Sequence, residues 1–420
     1  MSFSERIHAM QTGFQQTFWI ANIIELFERF AYYGSMAVLS VYLADKIGLD
    51  PVTVGILFGL FTGVLYSLPF IAGTFVDRYG FKRSLIACFS FFTVGYFLIG
   101  LAGLPFGAAI MAAVGKVTYL TIILLFTAIG GSLIKPCIVG TVAKTTTPAT
   151  KALGYSIYYT LVNIGGAVGP ILALQVRENF GIEFVLVMSS ATSCLLILGA
   201  FFFYKEPQRD HDMPPPTSLI KVLHDMLLVF KNIRFVSFLV IFSGFWIMFW
   251  QIFYSLPFYV KEVLKFERFE LLETVDAWSI IFLTVPVAAM TKKLRPITAM
   301  VVGFSIAGSA WFLMGVSHTV PATIFAMFLF ALGEATQAPR FYEYVADLAP
   351  KEQIGTFMGF AFLPIALGSF VAGPLAGWLI QTYLRVENYS PTIMWMIVGG
   401  IGYGATLLMI LYDRMVARRV

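Results

Sequence analysis

The sequence predicts an all-α membrane protein of twelve transmembrane helices arranged as two six-helix bundles, and three observations carry that prediction. Of 420 residues, 59% are hydrophobic and only 12% are charged, against about 25% charged in a soluble domain. Twelve apolar segments follow one another, nearly all reaching the roughly 20 residues that span a bilayer as a helix. A polar stretch opening with Tyr204-Lys-Glu-Pro-Gln-Arg-Asp-His-Asp-Met-Pro-Pro-Pro216 divides them six and six.

In order, the segments are 17–43, 52–76, 83–103, 119–142, 153–177 and 183–204, then 233–262, 274–291, 296–316, 320–347, 354–382 and 392–412. Several are long enough to be tilted or kinked. Residues 1–204 are expected to form the first bundle and 233–420 the second. The proline and charge content of 205–232 reads as a linker, partly helical near 217–231. The start, Met1-Ser-Phe-Ser-Glu-Arg6, leads into a full-length amphiphilic helix rather than a short signal peptide, so no cleaved targeting segment is expected.

Orientation follows from the basic residues. Of the 28 Lys and Arg, eighteen fall in tails and loops on the side of the termini and seven on the opposite side. The positive-inside rule then places both termini in the cytoplasm, with the chain in a cell (inner) membrane. The net charge of +5 follows from this loop bias and implies no nucleic-acid partner. Cys88, Cys137 and Cys194 sit scattered in apolar segments, which suggests neither a disulfide framework nor a metal site. The four histidines (8, 211, 224, 318) show no ligand spacing. No phosphate-binding loop, zinc motif or nucleophile elbow is present, so neither an enzyme nor a cofactor is expected.

The remaining three basic residues, Arg29, Lys135 and Arg340, lie inside apolar segments. Arg29 stands in Glu25-Leu-Phe-Glu28-Arg29-Phe30-Ala-Tyr32-Tyr33-Gly34, which puts three ionisable groups on one membrane helix. Each costs about 2.5–3.5 kcal/mol on insertion scales, so such groups usually pair inside a bundle or line a watery path. Glu25 and Arg29, four apart, share a face. The cluster reads either as a static ion network or as a proton-titratable group, and the second points to an ion-coupled transporter. Lys135 and Glu334 are lone charges in the middle of their halves, which places them at a central cavity. Tyr32, Tyr33 and Tyr66 suit either packing or cavity lining, and Asn163 suits either interhelical bonding or a ligand.

Between the second and third segments stands Gly73-Thr-Phe-Val-Asp77-Arg78-Tyr-Gly80-Phe-Lys82-Arg83. Glycines permit close helix approach, and Asp77 can hold a neighbouring helix end or a basic partner across the seam. This resembles the loop signature of the major facilitator superfamily. The first-segment decapeptide matches the first-helix pattern of the proton-dependent oligopeptide transporter family at every motif position. Further resemblance to that family lies in Gly130-Gly-Ser-Leu-Ile-Lys135-Pro136, Tyr158-Tyr159-Thr-Leu-Val-Asn163-Ile-Gly165, Phe245-Trp246-Ile-Met-Phe-Trp250-Gln251 and Glu334-Ala-Thr-Gln-Ala-Pro339. It spans nearly the whole chain and is strongest in the first half.

The departures are as informative. The family's arginine two residues after Tyr-Tyr-Gly is Met36 here, and its seventh-helix acid before the glutamine is Trp250. The resemblance implies that those two family residues bridge the halves, and here both are missing together. Arg340 is an addition, with Glu343 as a possible helical partner. The two extra helices that many bacterial family members carry between the halves are absent.

The resemblance implies a major facilitator fold and proton symport of small zwitterions such as di- and tripeptides. Lys135 and Asn163 would hold the carboxylate, Glu334 would face the ammonium, and Tyr32, Tyr33 and Tyr66 would shape the pocket. Glu25, Glu28 and Arg29 would couple protons, and Gly73, Asp77, Arg78, Gly80, Lys82 and Arg83 would form the gate. By analogy the working unit is a monomer. The alternative on the same fold is a proton-coupled transporter of another metabolite, or a drug/proton antiporter.

Overall fold

Lipid offers no hydrogen bonds to the backbone, so a chain this apolar satisfies its peptide groups within helices. A computed structural model of the chain describes residues 13–147, 149–207, 224, 227, 229–349, 354–385 and 389–416. Ten helices are long and apolar enough to cross a membrane, and a bent pair, Pro51–Ser67 with Pro69–Tyr79, makes another span. The twelfth is Gln16–Val41, whose 26 residues hold the three charges foreseen in the first segment. The expected linker helix near 217–231 lies largely outside the described residues.

The remaining spans are Phe81–Ala102, Lys116–Thr145, Lys151–Phe180, Glu183–Phe202, Ile233–Tyr254, Phe269–Thr291, Pro296–Val316, Val320–Leu348, Phe357–Tyr383 and Pro391–Met415. An even number of crossings puts the start of the first span, Gln16, and the end of the last, Met415, on one side. Several spans are broken rather than continuous. The second bends by 51°, where Pro69 opens a new helix. The fourth breaks after Gly131 and resumes at Ile134. Proline at the first helical turn suits its missing N–H and its fixed φ. The expected loop 104–118 instead holds a short apolar helix, Pro105–Val114. The eighth span begins at Phe269, five residues before the expected boundary, and this draws Glu270 and Glu273 into it.

The bundles meet along two seams, second span on eleventh and fifth on eighth. At the first seam the contact is backbone on backbone. A Cβ on Gly373 would lie 2.2 Å from the Gly55 carbonyl oxygen, and one on Gly55 would lie 2.1 Å from that of Gly373. Such close approach maximises van der Waals packing, which drives helix association in lipid. Gly373→Val is therefore expected to wedge the bundles apart at the end away from the termini. Spin-label distances across that end should lengthen; unchanged distances would show that the seam yields elsewhere.

Candidate functional site

Arg29 meets both first-span acids, as their spacing allows, and Glu25 finds a further partner that the sequence did not pair. Glu25 is fully buried, and its Oε1 accepts from Lys135 Nζ at 3.0 Å. Arg29 Nε stands 3.5 Å from the same oxygen, and Arg29 also donates to Glu28. Tyr158 OH lies 2.8 Å from Lys135 Nζ and 3.5 Å from Glu25. The Arg29 guanidinium lies over the Tyr32 ring at 4.7 Å, and Tyr32 OH meets Tyr66 OH at 3.3 Å. Gly165 leaves room for this arrangement, since a Cβ there would sit 2.2 Å from Arg29 Cβ.

This corrects the expectation that Lys135 is a lone charge at the central cavity. Its ammonium is held by Glu25 and Tyr158, and its side chain lines a different cavity of about 120 Å³ with Pro69, Pro136 and Phe362. The physical reason is that two buried carboxylates share the single guanidinium of Arg29, and the Lys135 ammonium supplies the second cation that Glu25 and Glu28 need between them.

The central cavity, about 170 Å³, lies between the halves. It is lined by Tyr32, Tyr33, Tyr66, Asn163 and Glu334, and by an aromatic wall that includes Phe242, Trp246, Phe249, Trp250, Phe253 and Phe341. Met36 and Trp250 line it together, so an apolar surface stands where the resembling family has its bridging ion pair. Trp250 is stacked on Tyr254 at 5.6 Å and donates its indole N–H to the Ile365 carbonyl at 3.2 Å. Asn163 donates to the Tyr159 carbonyl at 2.8 Å. Arg340 is turned away from the cavity, donating to Glu343 and, at 2.9 Å, to the Thr291 carbonyl. No Lys, Arg or His lines the cavity among the described residues.

Sequence reasoning missed two more acids. Glu273 and Asp276 line an adjoining cavity of about 60 Å³ with Glu334, Tyr33 and Asn163. Their spacing on one helix was the available signal.

The gate loop also departs from expectation. Gly80 has φ +87°, which breaks the helix between the second and third spans, a conformation glycine adopts without a Cβ clash. The start of the third span is capped by Glu206, not by Asp77. Phe81 N–H and Lys82 N–H donate to its carboxylate at 2.7 and 2.8 Å. Asp77, Arg78 and Arg83 are exposed, and a Cβ on Gly73 would meet open space. Asp77 therefore holds no neighbouring helix in this conformation, because no ion pair joins the halves at that end among the described residues.

The opposite end is closed. Asp45, in the π turn that follows the first span, accepts from Lys261 at 2.7 Å and from Arg385 at 3.0 Å. Arg177 pairs with Glu270, including an Nη2–Oε2 contact of 3.1 Å, and Arg268 pairs with Glu178 at 2.8 Å. All four pairs cross between the bundles. Burial acts to raise the Asp45 carboxyl, but hydrogen bonds from Lys261 and Arg385 outweigh it and hold the group below the usual carboxylate range. With a lowered pKa, the contribution of Asp45 to closure is full above the ordinary range and is lost as pH falls through the lowered value. Asp45→Asn is expected to raise thiol labelling of cysteines placed behind this seal, and acid should add less to the labelling of the variant than to that of the wild type, because Asp45 no longer contributes a titrating pair.

Two helical bundles around a cavity sealed at one end define a membrane transporter. The family model of the Major Facilitator Superfamily matches residues 21–361 and 268–419; the chain belongs to that superfamily. Among its relatives, the multidrug resistance protein MdtH of Sodalis glossinidius is 24% identical over 375 residues, covering 89% of this chain and 87% of that protein. MdtH of Proteus mirabilis is 23% identical over 89% and 88% of the two chains. Among solved structures, a POT family transporter bound to a thioalcohol-conjugated peptide superposes with a TM-score of 0.77 at 17% identity, covering 94% and 96%. The nucleoside transporter NupG superposes with a TM-score of 0.76 at 13% identity, covering 94% and 99%. At those identities the likeness is one of fold.

Proposed function

We propose that the chain is a proton-coupled secondary transporter of an inner membrane, with both termini cytoplasmic, that exchanges amphipathic organic cations for protons. The observation that carries this reading is the central cavity, where an aromatic wall surrounds Glu334 and no basic side chain lines the space among the described residues. Aromatic faces attract a cation by about 0.5–2 kcal/mol, more when desolvated, and a carboxylate supplies the charge partner. The MdtH relatives, named for multidrug resistance, agree with such a substrate.

Residues 1–204 and 233–420 rock against each other about the midplane, the usual device of repeat-built transporters. Closed at the Asp45 end and without cross-bundle ion pairs at the other among the described residues, the structure corresponds to the inward-facing state. Exchange follows from charge balance. Glu334 gives up its proton as the cation binds, and regains one as the cation leaves on the far side. Tyr32, Tyr33, Tyr66 and Asn163 shape the pocket, while Glu25, Glu28 and Arg29, tied to Lys135, form the titratable network of the first bundle. Gly73, Asp77, Arg78, Gly80, Lys82 and Arg83 serve the cytoplasmic gate once that end closes.

The first-span motif, Asn163 and the fold shared with POT transporters favour a second reading, symport of peptide-like zwitterions. In that case Lys135 must leave Glu25 to meet a carboxylate. Thermal unfolding separates the two, because a ligand that binds the native state raises its apparent stability by mass action. Ethidium and tetraphenylphosphonium are expected to raise Tm, and dialanine is not. A rise with dialanine alone would replace the cation reading with the symport one.

A further inference from the structure

The eighth span carries Glu270, Glu273 and Asp276 at successive intervals of three residues. Three residues advance a helix by about 4.5 Å, and side chains so spaced are surface neighbours. The three acids therefore descend from the sealed end toward the midplane. Glu270, fully buried, is held across the seam by Arg177. Glu273 is 4% exposed, and neither of its carboxylate oxygens has a hydrogen-bond partner. Asp276 is 8% exposed with one oxygen unpartnered, and Glu334 across the same 60 Å³ cavity also has an unpartnered oxygen.

No basic group that packs nearby is free to neutralise them among the described residues. From the fifth span, Arg177 is taken by Glu270, while Glu178 is paired with Arg268. From the tenth span come Glu334 itself and Arg340, which is taken by Glu343 and the Thr291 carbonyl. On the short helix Leu256–Glu262, Lys261 is bound to Asp45 and Glu262 to Arg385. The first span offers Tyr33. Two ionised carboxylates buried beside a third would cost several kcal/mol each, which favours neutral carboxyls at Glu273, Asp276 and Glu334, while Glu270 is balanced by Arg177.

We propose that Glu273 and Asp276 are proton carriers, linking the Glu270–Arg177 seal to the substrate carboxylate Glu334. The proposal rests on the exchange reading above. When the sealed end opens, Arg177 leaves Glu270 and exposes the head of the file. A proton from that side binds Glu270, and each acid in turn takes a proton on one oxygen and passes one from the other. Glu273 and Asp276 are thus neutral before and after, and the net change is one proton gained by the Glu334 carboxylate as its cation departs. The same opening that admits the proton releases the cation, so the two events are mechanically joined.

The test has two arms. Dicyclohexylcarbodiimide adds to protonated carboxyls in apolar sites, and mass spectrometry reads the adduct without any substrate. Wild-type protein is expected to carry the adduct on Glu273 or Asp276, with labelling that fades as pH rises. In proteoliposomes, the ratio of pH-gradient-driven ethidium movement to ethidium counterflow at equal pH is expected to fall to that of protein-free vesicles in the Glu273→Gln, Asp276→Asn double variant. A ratio equal to wild type, absence of label at every pH, or movement driven by a sodium gradient and blind to pH would each overturn the proposal. Should the wild type neither bind nor move ethidium, the cation reading falls instead, and the labelling alone decides the acids.

Discussion

Glu25→Gln is expected to destabilise the protein by about 3–5 kcal/mol, the usual cost of removing one partner from a buried ion pair. Glu25 accepts from Lys135 at 3.0 Å and faces Arg29 at 3.5 Å, and it is fully buried. Its neutral replacement leaves two cations with only Glu28 between them. Pairing Glu25→Gln with Lys135→Met should recover much of the loss, since the double variant removes the stranded ammonium along with its partner. Denaturant or thermal unfolding in detergent, arranged as a double-mutant cycle, measures this coupling. Additive losses would show that Glu25 and Lys135 act independently. Proton-driven transport should also collapse in Glu25→Gln, because the network loses the carboxylate that ties the first span to the fourth.

Glu334→Gln should weaken binding of ethidium or tetraphenylphosphonium about ten- to a hundredfold, the value of one lost charge-assisted contact at about 1.5–3 kcal/mol. Glutamine keeps the shape of the side chain and its hydrogen bonding but not its charge. Affinity for an uncharged aromatic analogue should therefore change little. Fluorescence titration with both ligand types reads the difference directly. Equal losses for charged and uncharged ligands would make Glu334 a packing residue of the tenth span. In the symport reading the decisive variant is instead Lys135→Ala, which should hurt ligands with a free carboxylate more than their amides.

The twelve spans were legible in the sequence because burial in lipid is a local demand. Every crossing segment must be apolar along its length and satisfy its own backbone, so each announces itself. The first-span cluster was legible for the complementary reason, as a charge costly enough in lipid to stand out. For Tyr32, Tyr33, Tyr66 and Asn163 the motif positions left packing and cavity lining both open, and only the packed helices place them with Glu334 on one cavity.

What the sequence left open was pairing. Lys135 and Glu25 lie 110 positions apart, and nothing local says that the ammonium faces the first span rather than the cavity. Glu206 replaces Asp77 as the cap of the third span through a chain reversal that no motif spacing encodes. Glu273 fell before the expected start of its segment, because an acid near a helix end reads as the edge of the membrane until the fold buries it. Hydropathy and motif spacing determined which residues enter the membrane. Which charges meet there was decided only by tertiary packing, because electrostatic partners are chosen by distance in space and not along the chain.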